Sequence, residues 1–312
     1  MAIITAERVT YRYQGQGAHG VPALDGLNVT FDEGQFIALL GSTGSGKSTL
    51  LQHLNGILQP TSGSLKVLEF TFQGGTPERG LKELRRRVGL VFQFPEQQLF
   101  EETVERDVLF GPLQFGQSEE EAKASARRAM MQVGLPESLL QISPFELSGG
   151  QIRKVAIATV LASNPEIVVL DEPTATLDPV SRAELIELLH KLCKEEGKTI
   201  IMVTHRLDEL FAYADSFALM KDGQVTFQGT RSQLMAQPER LEEAGILLPA
   251  TMRLAALVME RSGVPMDQLP CSVEGWTEWL AATIAGVGLE GRSHFAGKQL
   301  EQQADSLEEK EE

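Results

Sequence analysis

An α/β fold built on a parallel-type sheet with helices on its faces is what this 312-residue sequence predicts, and three observations predict it. Phe36–Leu40, Val88–Phe92, Ile167–Leu170 and Thr199–Val203 are apolar runs of strand length without polar alternation, the pattern of strands covered on both faces. Helical segments separate these runs, as the crossovers of a parallel sheet require. Ile3–Val9 and Leu27–Phe31 do alternate, and so predict half-buried strands ahead of the core, with a glycine-rich turn at Gln14–Gly20 between them.

Taken in order, the strand at Phe36–Leu40 runs straight into Gly41-Ser42-Thr43-Gly44-Ser45-Gly46-Lys47-Ser48, and a helical stretch follows through about Leu58. Between Gln93 and Leu147 the pattern turns helical and polar. Ser118 and Glu121 fit a capping box ahead of Ala122, Ala126, Ala129, Met130 and Val133, which predicts a helical insertion. A helix is expected from about Ile152 to Ala162, and another after Asp178-Pro179, a cap followed by proline at the first helical position. Leu185, Leu188, Leu189 and Leu192 give that second helix a stripe to lay on the sheet. Beyond about Gln237 the buried-strand pattern stops. Leu254, Leu257 and Val258, then Trp276 and Trp279, predict short amphipathic helices, with the tryptophans as packing residues. The acidic run Glu301–Glu312 lacks the apolar content to form a core.

Composition excludes several functions. A net charge of −15 argues against a basic surface that tracks nucleic-acid phosphates and against electrostatic attachment to anionic lipid. Residues 241–312 carry 13 acidic against 5 basic side chains, so much of the imbalance sits there. Cys193 and Cys271 form neither a disulfide framework nor a metal-ligand spacing, which fits a reducing cytoplasm. No apolar stretch is long enough to span a membrane, and Met1–Thr10 lacks the apolar core of a signal peptide.

The chemistry starts at Gly41–Ser48. A buried strand, a glycine-rich loop matching G-x-x-x-x-G-K-[ST] and a helix together place backbone N–H groups and a helix N-terminus around phosphates. Lys47 reaches the β/γ-phosphates and Ser48 ligates Mg²⁺. Asp171 and Glu172 end a buried strand, at the edge where ligands bind in open α/β sheets. Asp171 is expected to hold Mg²⁺ through water, and Glu172 to polarise a water for in-line attack on the γ-phosphorus. Ser148, Gly149, Gly150 and Gln151 open a second helix N-terminus suited to an anion. His53 fits none of this chemistry and is expected to be an ordinary buried histidine. Arg85-Arg86-Arg87 is expected to be a solvated face or a dimer contact.

The phosphate loop at Gly41–Ser48, Leu147-Ser-Gly-Gly-Gln151, the strand and acids at Ile167–Glu172, Ala175-Thr-Leu-Asp178 and His205 occur in the order and spacing of ABC-transporter ATPase subunits, which this sequence resembles. The resemblance implies the P-loop NTPase fold of an ABC ATPase domain: a mostly parallel core sheet, an antiparallel β subdomain and a helical subdomain at about 94–162. The domain would cover 1–236, followed by a mainly helical C-terminal extension at 237–300 and an acidic tail at 301–312. It further implies that Tyr13 stacks on adenine and that Gly41, Ser42, Thr43, Gly44, Ser45, Gly46, Lys47, Ser48 and Thr49 surround the phosphates of ATP. Gln93 joins Ser48 and Asp171 at Mg²⁺, His205 contacts the γ-phosphate, and Asp178 is the acid of the loop between subunits. In ABC ATPases the LSGGQ of one subunit completes the site of the other, so Ser148–Gln151 would serve a second ATPase chain in a head-to-tail dimer.

Gln52-His-Leu-Asn55, Val91-Phe-Gln-Phe-Pro-Glu-Gln-Gln-Leu-Phe100, Thr103-Val104, Phe110-Gly-Pro112 and Val155-Ala-Ile-Ala158 narrow the resemblance to the ATPases of energy-coupling factor transporters, especially the second of the pair, and of cobalt importers. Ser42, Lys154 and Thr176 depart from that subgroup's pattern, and none of them removes a catalytic group. The implied function is ATP-driven dimer closure coupled to uptake of a vitamin or transition-metal ion. The implied partners are a different ATPase chain, an integral membrane coupling component and a separate substrate-binding membrane subunit, with the chain peripheral on the cytoplasmic face. An ordinary importer or exporter ATPase is the alternative reading, and an ABC ATPase working outside transport the more distant one.

Overall fold

The computed structural model describes residues 1–13, 21–76, 80–175, 177–264, 268–270 and 272–284. The expected turn at 14–20, Thr176, Cys271 and the acidic tail lie outside the described residues.

The chain divides into two compact units, one of residues 1–231 and 239–247, the other of 232–238 and the described residues from 248 onward. The first unit contains β1 (Ala2–Tyr11), β2 (Leu24–Asp32), β3 (Phe36–Leu40), α1 (Lys47–Leu54), β4 (Ser62–Val67), β5 (Phe70–Gln73), α2 (Leu81–Arg87) and β6 (Val88–Val91). It continues with α3 (Val104–Gln114), α4 (Glu119–Gln132), α5 (Gly149–Leu161), β7 (Ile167–Asp171), α6 (Pro179–Glu196), β8 (Thr199–Val203), α7 (Leu207–Leu210), β9 (Ser216–Lys221) and β10 (Gln224–Thr230).

The core is a six-stranded sheet of order β10-β9-β3-β8-β7-β6, parallel from β9 through β6 and closed on one side by antiparallel β10. Every residue of β3, β6 and β8 is buried, which is why these segments carry no alternation. Register brings Val88, Ile167 and Thr199 side by side at one end, and Asp171 beside Val203 at the other. Parallel pairing therefore sends the chain out of β3, β6, β7 and β8 along a single edge. A second, four-stranded antiparallel sheet of order β2-β1-β4-β5 packs the alternate side chains Ile4, Ala6, Leu27, Val29 and Phe31 against the same apolar cluster as Leu39 and Leu50. Between the sheets, Asp25 N–H donates to Gly223 O at 3.0 Å, and the Gln228 amide pairs with the Thr30 backbone.

The helices obey their caps. Ser118 and Glu121 make both bonds of the capping box at α4, which buries Ala122, Ser125, Ala126, Ala129 and Met130. Asp178 accepts from Val180 N–H and Ser181 N–H ahead of Pro179, and α6 buries Leu185, Ile186, Leu189 and Leu192. In the arginine run, Arg85 and Arg86 are exposed, as expected of a solvated face, with Arg86 pairing with Glu83 inside α2. Arg87 donates to Glu166 and Glu69, and Arg85 donates to Gly56 O, so these two also tie α2 to neighbouring segments.

From Arg231 onward lie α8 (Arg231–Met235), α9 (Glu239–Glu243), α10 (Ala250–Ser262) and α11 (Val273–Ile284). In α10 it is Met252 and Ala255 that are buried, while Leu257 is exposed, so the helix packs by a smaller face than its leucines predict. Trp276 is buried with its ring edge-on to Trp279, centroids 5.4 Å apart.

Candidate active site

The loop between β3 and α1 can take its path only with glycine at two points. Gly46 has φ +101°, and a Cβ there would meet Ala23 O at 2.4 Å; at Gly41 it would meet Met220 O at 2.3 Å. Lys47 is buried at the first position of α1, with Nζ donating to Gly41 O and Ser42 O at 2.8 Å each and 3.4 Å from Ser45 Oγ. Burial lowers its pKa, against the opposing pull of the Glu172 and Asp171 carboxylates. The lysine is thus held by its own loop, with its charge directed at the loop's concavity.

Asp171 ends β7. Burial raises its pKa above the ordinary value, and a hydrogen bond from the Ser48 hydroxyl and the charge of Lys47 oppose that rise. The next residue, Glu172, has φ +45°, a left-handed conformation that costs a non-glycine residue about 1–3 kcal/mol and is found where surrounding structure enforces it. Here the Glu172 N–H bonds Val203 O of β8 at 3.0 Å. The turned backbone brings the Glu172 carboxylate to two other loops: Gln93 Nε2, two residues past β6, lies 3.4 Å from Oε2, and His205 Nδ1, two past β8, lies 3.2 Å from Oε1.

Tyr13 closes the other side, its hydroxyl 3.1 Å from Thr49 Oγ1 and its ring edge-on to Tyr11. Tyr11 in turn stands edge-on to His53, which is fully buried with Nδ1 2.7 Å from Thr49 O. His53 is therefore a packing residue beneath the site, as expected. A cavity of about 420 Å³ results, lined by Tyr13, Thr43, Gly44, Gly46, Lys47, Ser48, Thr49, Gln93, Asp171, Glu172 and His205, with Ala23 as a wall.

The other expected residues lie elsewhere in the unit. Ser148 and Gln151 form a complete capping box on the 13-residue α5, and a Cβ at Gly149 or Gly150 would meet nothing within 4 Å, so this helix N-terminus is open to approach. The Asp178 carboxylate is engaged at the start of α6. Among the described residues no cluster of three or more His, Cys, Asp or Glu side chains could hold a metal, and no helix is long and apolar enough to cross a membrane. The oxygen-rich set of Ser48, Gln93 and the half-buried Asp171 fits a hard cation that keeps most of its waters.

Sequence reasoning missed Arg153, which is buried in α5 and donates from Nη1 to Pro173 O at 3.0 Å and from Nη2 to Glu96 Oε2 at 3.3 Å. The only available signal was a pair of charges, Arg153-Lys154, set between Ile152 and the apolar run Val155–Ala158.

The ABC transporter family matches residues 24–175. An energy-coupling factor transporter ATP-binding protein EcfA2 of Bacillus thuringiensis subsp. konkukian is 46% identical over 290 residues, 93% of this chain and 99% of the relative. The Listeria monocytogenes serovar 1/2a protein of the same name is 46% identical over 285 residues, 91% of this chain and 99% of the relative. Among solved structures, cbiO1 from Clostridium perfringens, described as part of the ABC transporter complex cbiONQ, aligns with a TM-score of 0.68 and 37% identity over 82% of this chain and 99% of its own. A dimeric ATP-binding cassette in a post-hydrolysis state with ADP and Pi aligns with a TM-score of 0.66 and 31% identity over 73% of this chain and 98% of its own.

Proposed function

The chain belongs to the ABC transporter family, as an ATP-binding and hydrolysing subunit of an energy-coupling factor transporter, and from that premise we propose how its residues divide the work. The carrying observation is that the phosphate-type loop, Asp171, Glu172, Gln93 and His205 leave four parallel strands along one edge and meet around one cavity.

In this reading the amides from Gly41 to Thr49 and the Lys47 ammonium hold the phosphates of ATP, and Tyr13 takes the adenine face. Ser48, Gln93 and Asp171 would hold Mg²⁺, which would supply positive charge against the phosphate oxygens. Glu172 orients and deprotonates the attacking water. His205, 3.2 Å from that carboxylate, steadies it and senses the terminal phosphate. Ser148, Gly149, Gly150 and Gln151 present an open helix N-terminus to the nucleotide of a second ATPase chain, and Asp178 borders the same junction.

Closure must reach the membrane from this chain's surface. Phe92 and Phe94 flank Gln93 and are exposed, as are Phe100, Phe110 and Leu113, with Phe100 and Phe110 edge-on at 5.1 Å. That aromatic surface next to a site residue supports docking of an integral membrane coupling component on the cytoplasmic face. A different ATPase chain and a separate substrate-binding membrane subunit complete the assembly, whose cargo is a vitamin or transition-metal ion. Residues 1–236 carry the ATPase domain and 237–300 an appended unit in this assignment.

The test isolates the Glu172→Gln chain from native membranes with MgATP and identifies its companions by mass spectrometry. A second ATPase together with an integral membrane protein is the expected result. A homodimer bearing two copies of one membrane protein, or no membrane protein at all, would overturn the assembly, and undiminished hydrolysis would overturn the role of Glu172.

A further inference from the structure

Glu209 lies outside the nucleotide cavity, yet two catalytic-edge connections converge on it, the one from β7 to α6 that carries Glu172 and Asp178 and the one from β8 to α7 that carries His205. Its side chain is 7% exposed, in the short turn α7. Oε2 accepts from Thr174 Oγ1 at 2.7 Å, and Oε1 accepts from Arg182 Nη1 at 3.1 Å and forms an ion pair with Arg206 Nε at 2.9 Å. Each partner belongs to a different part of the site's frame. Thr174, itself buried, is two residues past Glu172. Arg182 lies in the first turns of α6 and also donates from Nε to Leu177 O at 2.8 Å, so it grips the backbone just before Asp178. Arg206 follows His205, and its N–H donates to the buried Thr204 Oγ1 at 3.0 Å.

A buried carboxylate that accepts from a guanidinium and a hydroxyl and pairs with a second guanidinium is held far more firmly than an exposed pair, because its partners also satisfy its desolvated oxygens. We propose that Glu209 is a positioning residue that locks the loop running from Glu172 to Asp178 and the loop of His205 into one rigid frame, so that the acid, the intersubunit aspartate and the histidine shift together when the nucleotide site closes. The inference rests on the roles given above to Glu172, Asp178 and His205. Glu209 does not line the nucleotide cavity; it acts through Thr174, Arg182 and Arg206. Loosening the frame disturbs the alignment of the hydrolytic groups and leaves the phosphate loop, which sits on β3 and α1, to bind ATP as before.

The experiment uses the full chain in the transporter complex purified from membranes and compares Glu209→Gln, Arg182→Gln and Arg206→Gln. Glu209→Gln is expected to lower kcat for ATP hydrolysis about 10-fold or more while KM for ATP stays within about 2-fold. The single arginine variants, which each cut one arm, are expected to show the same split with smaller losses. Adding Arg206→Gln to Glu209→Gln should cost less than about 2-fold more, because both changes break one linkage. A purely structural role would instead lower Tm with kcat preserved. Preserved kcat in all three single variants, or losses that multiply in the double variant, would overturn the inference. If Glu209→Gln does not fold, the two arginine variants carry the same test. Glu172→Gln is run in parallel: normal hydrolysis there rejects the assigned roles themselves, whereas loss there with normal hydrolysis in the Glu209 and arginine variants rejects only the linkage.

Discussion

At the scale of single residues, function and fold make separable demands on one short stretch of chain. Lys47 is anchored by two loop carbonyls at 2.8 Å, so Lys47→Ala removes a charge without removing a core side chain. Its ATP affinity is expected to fall by about 100-fold in a fluorescent-nucleotide titration, consistent with loss of a buried charge-assisted contact of roughly 3 kcal/mol. Gly46→Ala at the same loop should fail differently. The added methyl would strike Ala23 O and the backbone would keep a left-handed φ, so both thermal stability and nucleotide binding should drop. His53 gives a pH prediction. Burial lowers its pKa below the ordinary value, so the unfolded chain takes up a proton that the folded chain resists. Its contribution to stability is whole above about pH 6.5 and is lost as the pH falls below that. Thermal melts of His53→Asn should therefore show a shallower loss of Tm between about pH 7 and pH 5 than the parent chain; parallel profiles would rule this out. The glycines, Lys47 and the acids were legible in the sequence because a phosphate loop is local. Glu209 and Arg153 were not, since a charge satisfied by partners 27 or 57 positions away leaves no local pattern.

At the scale of elements, α4 and α5 begin with the same device, a serine and a residue three later exchanging bonds across the first turn. Ser118→Ala and Ser148→Ala should each cost about 1 kcal/mol of stability in denaturant unfolding, the usual worth of a cap. Only Ser148→Ala should also reduce ATP turnover in the assembled complex, because α5 alone presents Gly149 and Gly150 to open space. Equal turnover in the two variants would remove the functional reading of that helix end. Both caps were predictable, as were the buried strands, because each is written in fewer than ten consecutive residues. β4, β5, β9 and β10 were not expected individually. β4 and β5 are short and only partly buried; β4 forms by pairing with β1, which lies more than fifty residues earlier in the chain, and β5 by pairing with β4. The leucines of α10 misled for a related reason, since which face of a helix is covered depends on its neighbours.

At the scale of the whole molecule, the site residues all belong to the first unit, while the second begins anew after Leu247. A chain ending at Leu247 is therefore expected to keep ATP affinity within about 3-fold, measured by the same titration, if the first unit supplies the binding free energy alone. Exchanging Phe100 and Phe110 for serine should abolish co-purification with the membrane component and leave nucleotide affinity unchanged, since neither ring lines the cavity. The sequence by itself determined the fold class, the chain order of the buried strands, the phosphate loop and the identity of the two acids, because apolar runs, cap residues and glycine spacing are each written in a few consecutive residues. Only the tertiary structure decided that Gln93 and His205 both reach Glu172, that Glu172 adopts its left-handed turn, and that one glutamate joins two loops. These facts depend on sheet order and register, and sheet order is a contest among strands far apart in the chain that no local pattern records.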